Sequence, residues 1–263
     1  MNSILSVMLK YIGVYRLYTY ILQREIRGGT MPKHIGVILD GNRRWADERE
    51  YPTWMGYVFG ADRVENLLEW CLEYGINSLT LYALSTENLG RPKEDLDAIY
   101  SVMGQKLDKL LNGGYVHKHK VRVKALGNLE LLPEEIRNRL VKLEQESVNY
   151  NDLYLNFAVA YGGRMEILQA VKKIAAEVSQ GKLDPLEIDE QKFSSYLFTS
   201  FLPDPDPDLI IRTSGEVRLS GFLLWQSAYS ELVFMDVYWP GFRKLDFLRA
   251  IRTYQQRQRR FGR

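Results

Sequence analysis

The chain has 263 residues, enough for one large domain or two small ones, and 46% of them are hydrophobic, which is sufficient for a sizeable core. The formal net charge is only +2, so the protein as a whole is not built to bind polyanions, and we expect no nucleic-acid partner. The single cysteine, Cys71, excludes an internal disulfide and fits a reducing compartment, so we expect a cytoplasmic location.

Residues 1–30 differ in pattern from the rest and form the first of two predicted segments. Apolar side chains recur at helical spacing between Ile4 and Leu22, while charged and polar residues interrupt any fully apolar span. The stretch is too broken for a transmembrane helix and lacks the features of a signal peptide. We expect an amphipathic helix over residues 1–26 and a glycine linker. Two interpretations stay open: peripheral contact with the inner face of the membrane, or packing on the main domain.

The second segment, residues 31–263, is predicted to be the main domain. Strands are predicted at 33–39, 77–84, 120–126, 152–159, 208–212 and 232–237. Amphipathic helices are predicted near 42–50, 58–75, 93–112, 133–148, 164–180, 189–199 and 244–260. This alternation favours an α/β fold with a mainly parallel central sheet flanked by helices.

Four polar clusters fall at or just after predicted strand ends, where a parallel sheet gathers its functional groups. They are residues 40–44, 85–91, 161–164 and 212–220. In the first cluster an apolar run ends in Asp40, a glycine turn and two arginines. Such a pattern is typical of a metal-binding carboxylate beside a phosphate site, and equally of a simple turn in which the aspartate caps the next helix.

The chemistry of these clusters favours phosphate recognition. Arginine forks and hydroxyl groups suit phosphate oxygens, and neither a dinucleotide-binding glycine fingerprint nor a Walker-type loop is present. The histidines, His34, His117 and His119, have no spacing that makes a convincing zinc site with Cys71.

The same motifs carry a resemblance to a known family. They are DGNRRWA at 40–46, LYALSTEN at 81–88, YGGR at 161–164 and the long run from Arg212 to Leu232. In order and approximate spacing, over residues 31–262, they resemble the cis-prenyltransferases of the undecaprenyl diphosphate synthase family. The paired arginines of the first motif and the hydroxyl-rich loop after Arg212 are more similar to archaeal and eukaryotic members than to typical bacterial ones.

The resemblance implies a six-stranded parallel sheet with an apolar substrate tunnel, working as a homodimer. It further implies Mg²⁺-dependent, repeated addition of isopentenyl diphosphate to an allylic prenyl diphosphate primer, giving a long cis-polyprenyl diphosphate, the precursor of a lipid glycosyl carrier. Mg²⁺ suits this chemistry because it takes one or two carboxylates together with substrate phosphate.

Residue roles follow from the same resemblance. Asp40 would position Mg²⁺ and help the allylic diphosphate leave, and the partner subunit's Glu231 would complete the metal site. Asn42 and Ser85 would assist proton removal after the new bond forms. The substrate-binding positions implied by the family are Gly41, Arg43, Arg44, Trp45, Glu87, Asn88, Arg91, Arg212, Arg218 and Ser220.

The sequence also departs from the family pattern. Thr53 and Tyr57 stand where many members carry an arginine and a histidine that touch the allylic diphosphate, and Val217 stands where many bacterial members carry a histidine near the metal. These changes leave open an unusual acceptor, another regiochemistry, or a non-catalytic scaffolding subunit. Retention of Asp40 favours the enzyme. Arg260-Phe261-Gly262 resembles the closing motif of active subunits, the alternative being a frayed basic tail.

Overall fold

A six-stranded sheet organises the protein, whose computed structural model describes the backbone of residues 2–257 and the side chains of residues 13–257. The strands are β1 (His34–Ile38), β2 (Ser78–Ser85), β3 (Val121–Leu126), β4 (Leu153–Tyr161), β5 (Leu209–Arg212) and β6 (Glu231–Phe234). Neighbouring strands are all parallel, in the order β3-β4-β2-β1-β5-β6. The predicted α/β fold with a parallel six-stranded sheet is confirmed.

Helices flank this sheet. Within the described residues they are α1 (Asn2–Ile26), α2 (Asn42–Asp47), α3 (Thr53–Glu73), α4 (Lys93–Asn112), α5 (Tyr115–Lys118), α6 (Glu134–Ser147), α7 (Gly163–Ser179), α8 (Glu190–Ser194) and α9 (Lys244–Gln256). Every residue of β1 is buried, as expected for a central strand covered on both faces. The larger part of the hydrophobic core joins the sheet to α1, α3, α4, α6 and α9, and a smaller cluster around Tyr82, Tyr161 and Phe222 lies apart from it.

The strand order places the functional end of the sheet. From β1 the chain continues to β2 on one side, and later returns to β5 on the other side of β1. Ligands of such sheets bind beyond the carboxyl ends of the strands at the point where the order reverses. Ile38 pairs with Arg212 in the register of β1 and β5, so the residues that follow β1 lie beside Arg212.

Helix α3 begins five residues earlier than predicted, at Thr53 instead of residue 58. Two glycines in its first part allow a close approach between helices. A Cβ atom at Gly56 would lie 2.2 Å from the carbonyl oxygen of Asn42, and one at Gly60 would lie 2.2 Å from Asn42 Oδ1. Both positions therefore let α3 pack directly against the start of α2.

Two other predicted boundaries differ. Helix α8 ends at Ser194 and not near residue 199, because the backbone N–H of Phe198 donates to Glu166 Oε1 (2.7 Å) and not to a helical carbonyl. Strand β6 ends at Phe234; beyond it the backbone pairs with the loop after Arg212, where Gly215 N–H donates to the Met235 carbonyl (2.9 Å). The end of the last predicted helix, beyond residue 257, and the 260–262 motif lie outside the described residues.

Helix α1 packs on the domain through one face. Leu22 and Ile26 are fully buried, and Gln255 of α9 donates to the carbonyl of Ile26 (2.9 Å). The opposite face carries exposed apolar side chains, among them Leu17 and Ile21. Packing on the domain, one of the two interpretations of this segment, is therefore observed for its C-terminal part. Among the helices of residues 2–257, none combines the length and the apolar character that crossing a bilayer requires.

Candidate active site

The first, second and fourth polar clusters meet beyond the carboxyl ends of the strands, and Arg164 of the third joins them. Eight of the predicted site residues line one cavity at this end of the sheet: Asp40, Asn42, Ser85, Glu87, Asn88, Arg91, Arg212 and Ser220. The cavity has a volume of about 1130 Å³, somewhat above the range usual for small-ligand sites. Five others, Gly41, Arg43, Arg44, Trp45 and Arg218, do not line it, and Glu231 lies elsewhere.

Asp40 is the carboxylate at the centre of the cluster. Its Oδ2 accepts a hydrogen bond from Arg212 Nη2 (2.9 Å), and its Oδ1 accepts from the Gly41 N–H (2.7 Å). Partial burial alone would raise the pKa of Asp40, but the hydrogen bond and charge of Arg212, assisted by Ser214 and Arg44, outweigh it and leave this pKa below its usual value. The group is therefore ionised at neutral pH.

Gly41 makes the turn from Asp40 into α2. Its φ of 98° lies in the left-handed region, and a Cβ atom there would stand 2.6 Å from the ring of Tyr238. Because glycine has no capping side chain, the first backbone N–H groups of α2, those of Asn42 and Arg43, face the site without a side-chain cap. Asn42 Nδ2 donates to the Leu39 carbonyl (3.1 Å), while its Oδ1 is buried without a hydrogen-bond partner among the described residues.

The two arginines of α2 differ in their surroundings. Arg44 donates to Ser214 Oγ (2.7 Å) and lies 3.5 Å from Asp40, so it is held at the site. Arg43 is exposed and forms a 3.4 Å ion pair with Asp95. Trp45 packs on Phe59 with a ring-centroid distance of 5.0 Å, so the structure gives it a packing role and no contact with the cavity.

Ser85 ends β2 and shares two hydrogen bonds with Asn88. The Asn88 N–H donates to Ser85 Oγ (3.1 Å), and the Ser85 N–H donates to Asn88 Oδ1 (3.4 Å). Glu87 lies between them; its own backbone N–H, more than the Ser85 and Thr86 hydroxyls, lowers the pKa of this carboxyl. The turn thus presents a hydroxyl and a carboxylate to the cavity.

Arg212 is almost wholly buried, at 4% exposure, and organises the loop that follows it. Besides Asp40, its guanidinium donates to the Arg218 carbonyl and to Ser220 Oγ (2.8 Å). Its Nε has no hydrogen-bond partner among the described residues. Arg218 itself is exposed and forms a 2.5 Å ion pair with Glu216, which also lies 3.5 Å from Arg44.

The loop backbone is held in an uncommon conformation. Ser214 and Ser220 have φ angles of 78° and 49°, which non-glycine residues adopt only when their surroundings impose them. Here the Ser214 N–H donates to the Val237 carbonyl (2.8 Å), and Ser220 Oγ accepts from Arg212. Such strain is common at ligand-binding loops, and it directs both serine hydroxyls toward the guanidinium groups.

Arg164 and Tyr57 are among the cavity-lining residues absent from the list predicted from the sequence. Arg164 opens α7 after the fourth strand and lines the cavity; the YGGR motif was the signal for it. Tyr57 of α3 lines it too, and its hydroxyl is buried without a hydrogen-bond partner among the described residues. Burial raises the pKa of Tyr57, and the nearby Arg91 guanidinium only partly opposes this rise. The hydroxyl is therefore protonated and can donate a hydrogen bond.

Comparison with known proteins decides the family. A family model described as "Putative undecaprenyl diphosphate synthase" matches residues 38–262 of this chain. The chain belongs to the undecaprenyl diphosphate synthase family. The resemblance noted in the sequence is therefore confirmed, and the protein is an enzyme of the cis-prenyltransferase class.

Archaeal members of the undecaprenyl diphosphate synthase family are among the most similar proteins. The tritrans,polycis-undecaprenyl-diphosphate synthase (geranylgeranyl-diphosphate specific) of Methanopyrus kandleri is 53% identical over 250 residues, covering 95% of this chain and 92% of that protein. The enzyme of the same name from Methanocaldococcus jannaschii is 47% identical over 250 residues, covering 95% of this chain and 89% of that protein.

Solved structures of the family share the fold. Lavandulyl diphosphate synthase from Lavandula x intermedia, in complex with dimethylallyl diphosphate, superposes with a TM-score of 0.86 at 34% identity, covering 89% of this chain and 99% of that chain. A probable undecaprenyl diphosphate synthase from Campylobacter jejuni gives a TM-score of 0.73 at 32% identity, covering 89% of this chain and 100% of that chain.

Proposed function

We propose that the protein condenses isopentenyl diphosphate with an allylic prenyl diphosphate primer, in repeated Mg²⁺-dependent additions, to make a long cis-polyprenyl diphosphate. The observation that carries this proposal is one cavity whose lining combines arginine, hydroxyl and carboxylate side chains around Asp40 and Arg212 with many apolar side chains. Close relatives named as geranylgeranyl-diphosphate-specific synthases support it and favour a C20 primer.

Two groups of donors would hold the two diphosphates. The backbone N–H groups at the start of α2, with Arg44 and Arg91, would bind the diphosphate of the allylic primer. Arg212, Arg218 and Ser220 would bind that of isopentenyl diphosphate. Arginine forks and hydroxyls match phosphate oxygens. The attraction between a phosphate and the buried guanidinium of Arg212 is stronger than it would be in water, because little solvent screens the two charges.

Asp40 fits the role of Mg²⁺ ligand. It is ionised and partly exposed at the cavity, and each carboxylate oxygen can accept more than the one hydrogen bond it has here. A single carboxylate suits Mg²⁺, which commonly takes one or two carboxylates with substrate phosphates and waters. When bound, the ion would neutralise charge that develops on the departing diphosphate.

The reaction would begin when the carbon–oxygen bond of the allylic diphosphate breaks and diphosphate leaves. Arg44 and Arg91 would stabilise the negative charge that grows on this group. The double bond of isopentenyl diphosphate then bonds to the allylic carbon, and a proton leaves its C2 carbon. Ser85 and Asn42 line the cavity and would take part in this proton removal, with the hydroxyl of Ser85 already oriented by Asn88.

We infer a homodimer in which the partner subunit's Glu231 completes the metal site. In this chain Glu231 lies at the amino end of β6, where it pairs with Leu209 in the sheet register and with Arg257 Nη1 at 3.0 Å. Asp40 follows the carboxyl end of β1, so the two carboxylates lie at opposite ends of the sheet. Glu231 would therefore reach Asp40 only from a second copy of the chain.

The decisive experiment is an assay of purified protein with Mg²⁺, labelled isopentenyl diphosphate and, separately, C5, C10, C15 and C20 allylic diphosphates. We expect polyprenyl diphosphates by mass spectrometry, with the best turnover from the C20 primer. Asp40→Asn should reduce turnover by at least about 10²-fold, the usual cost of losing one charge-stabilising group. Asp108→Asn, which removes another arginine-paired carboxylate outside the cavity, should leave turnover unchanged.

Two results would contradict the proposal. Folded wild-type protein that gives no product with any primer would favour a scaffolding subunit. Product joined to an acceptor other than isopentenyl diphosphate, or with another regiochemistry, would favour a family member of different specificity. Unchanged turnover of Asp40→Asn would remove Asp40 from the reaction.

A further inference from the structure

Tyr238 stands beside the start of α2, on a short segment that follows β6. The backbone of this segment joins the two loops of the site. The Trp239 N–H donates to the Asp40 carbonyl (3.0 Å), and the Val237 carbonyl accepts from the Ser214 N–H (2.8 Å). These hydrogen bonds on either side of Tyr238 fix its Cα atom relative to both loops.

The ring of Tyr238 covers the guanidinium of Arg44. The central carbon of that guanidinium lies over the ring, 5.5 Å from its centroid, which is within the range of a cation–π attraction. A planar guanidinium can pack on an aromatic face while its N–H groups donate along its edge. Here the edge meets Ser214 Oγ (2.7 Å) and lies 3.5 Å from Asp40, so Arg44 is held by its edge and by its face.

The ring of Tyr238 is itself held on both sides of α2. Its hydroxyl donates to Oε1 of Glu48, the residue that follows the helix (2.9 Å). The Glu48 carboxylate raises the pKa of Tyr238 through this bond, so the hydroxyl is protonated and its proton is already donated. At the other end of α2 the ring approaches Gly41 so closely that a Cβ atom there would lie 2.6 Å from it.

Arg44 needs such support because its side chain is 45% exposed. A long, exposed arginine samples many rotamers, and fixing one of them when a ligand binds costs free energy. Glu216 also lies 3.5 Å from Arg44 and attracts the guanidinium toward its own loop. A guanidinium that is oriented before the substrate arrives loses less entropy on binding a phosphate.

We propose that Tyr238 is a positioning residue for the primer diphosphate, because its ring holds the Arg44 guanidinium in the orientation that binds this group. This inference rests on the proposed function. The Tyr238 hydroxyl is engaged by Glu48, so the effect of the residue passes through Arg44 and concerns the primer alone. Binding of isopentenyl diphosphate, proposed for Arg212, Arg218 and Ser220, should not depend on it.

The test removes the aromatic face and keeps an apolar side chain. Tyr238→Leu should lower kcat/KM for the C20 primer about 3–10-fold, as expected for the loss of a partly exposed cation–π contact, and leave KM for isopentenyl diphosphate unchanged. Tyr238→Phe keeps the ring and should retain most of the wild-type kcat/KM. The measurement is steady-state kinetics with each substrate varied in turn. Tyr238→Met replaces the leucine variant where that variant does not fold.

A double-mutant cycle tests whether Tyr238 acts through Arg44. Arg44→Met removes the guanidinium and should itself lower kcat/KM for the primer. Adding Tyr238→Leu to Arg44→Met should then cause no further decrease, because the group that the ring positions is gone. A decrease in the double variant as large as that caused by Tyr238→Leu alone would overturn the inference.

Tyr150 offers a matched control. Its ring carries Lys120 Nζ at 4.8 Å from the centroid, and its hydroxyl lies 2.8 Å from His117 Nδ1, so it also combines a cation over the ring with an anchored hydroxyl. It does not line the cavity. Tyr150→Leu should therefore leave the kinetics with both substrates unchanged, and an equal decrease in this variant would overturn the inference.

The outcomes separate this inference from the proposed function. If the wild type makes polyprenyl diphosphates but Tyr238→Leu or Tyr238→Met, folded by circular dichroism, keeps the wild-type kcat/KM for the primer, the inference is wrong and the proposed function stands. A decrease of the same size in Tyr238→Phe would also overturn it, because the hydroxyl and not the ring would then be responsible. No product from the wild type would overturn both.

Discussion

Tyr57 is the residue at which the allylic side of the site departs most clearly from the family pattern. The histidine expected there is replaced by a tyrosine whose hydroxyl is buried and has no hydrogen-bond partner among the described residues. The nearby charge of Arg91 lowers the pKa of this hydroxyl and partly offsets the effect of burial. A protonated hydroxyl facing a cavity beside an arginine is a ready donor for a phosphate oxygen. We infer that Tyr57 takes the position of that histidine as a hydrogen-bond donor.

Tyr57→Phe removes this donor without changing the ring. Loss of one hydrogen bond to a charged phosphate, worth about 1.5–3 kcal/mol, should raise KM for the allylic diphosphate about 10–150-fold and leave KM for isopentenyl diphosphate unchanged. Tyr57→His supplies another donor and should restore most of the affinity. The measurement is steady-state kinetics with each substrate varied in turn; equal KM values for the phenylalanine variant and the wild type would show that the hydroxyl does not touch the primer.

At the scale of elements, α1 has two faces with different surroundings. Leu22 and Ile26 belong to the hydrophobic core, whereas Leu17 and Ile21 are 60% and 50% exposed. A helix that packs through one apolar face and exposes another can attach to a lipid surface while remaining part of the domain. We propose that this outer face makes peripheral contact with the membrane.

The test must not disturb the packed face. Deleting residues 1–26 would remove Leu22 and Ile26 from the core, at a cost of about 1.5–3 kcal/mol for each side chain, and would confuse unfolding with loss of binding. Leu17→Glu with Ile21→Glu changes only exposed positions and should reduce co-sedimentation with anionic vesicles several-fold. Leu131→Glu with Val141→Glu, two exposed positions elsewhere, adds the same charge and should not. Equal loss in both variants would indicate general repulsion.

The sequence predicted the positions of the secondary-structure elements better than the directions of individual side chains. The strand ends were located well, and parallel strands bring their carboxyl ends together, so Asp40, Ser85 and Arg212 could be assigned to one site in advance. The family resemblance placed Tyr57 beside the allylic diphosphate, but the residue pattern alone could not, because the direction of its side chain depends on where α3 lies, and that is determined by Gly56 and Gly60 packing against Asn42. A close approach of two helices leaves no separate signal in the sequence.

At the scale of the whole molecule, a buried polar network crosses the sheet beneath the site. His34 on β1, Thr80 on β2 and Asn156 on β4 are all fully buried. Thr80 Oγ1 lies 2.8 Å from His34 Nε2 and accepts a hydrogen bond from Asn156 Nδ2 (3.0 Å). His34 Nδ1 lies 3.0 Å from the Asp204 carbonyl, to which it must donate, so the partners assign Nδ1–H and leave Nε2 as the acceptor for the Thr80 hydroxyl.

This network requires a neutral imidazole. Burial lowers the pKa of His34 from 6.5 to about 4, and the hydrogen bond to the Asp204 carbonyl, with the charges of Asp208 and Asp204, only partly opposes that shift. As pH falls from about 6.5 to about 4, the unfolded chain therefore binds a proton at this histidine that the folded protein does not bind. The free energy of unfolding should fall across that interval by about 3 kcal/mol from this residue, and the loss should level off below it.

Urea denaturation of the wild type and of His34→Gln at pH 7.0 and pH 5.0 measures this dependence. Glutamine can donate and accept at the same position but does not titrate, so the variant should be less stable than the wild type at pH 7.0 and should lose less stability on acidification. Burial raises the pKa of Asp206, so its carboxyl binds a proton in the folded protein at a higher pH than in the unfolded chain. Asp206 therefore stabilises the folded protein as pH falls, opposite to His34, but it does so equally in the wild type and in the variant. The difference between the two pH dependences of the free energy of unfolding therefore isolates His34. Identical dependences in the two proteins would show that His34 does not contribute to the pH dependence of stability.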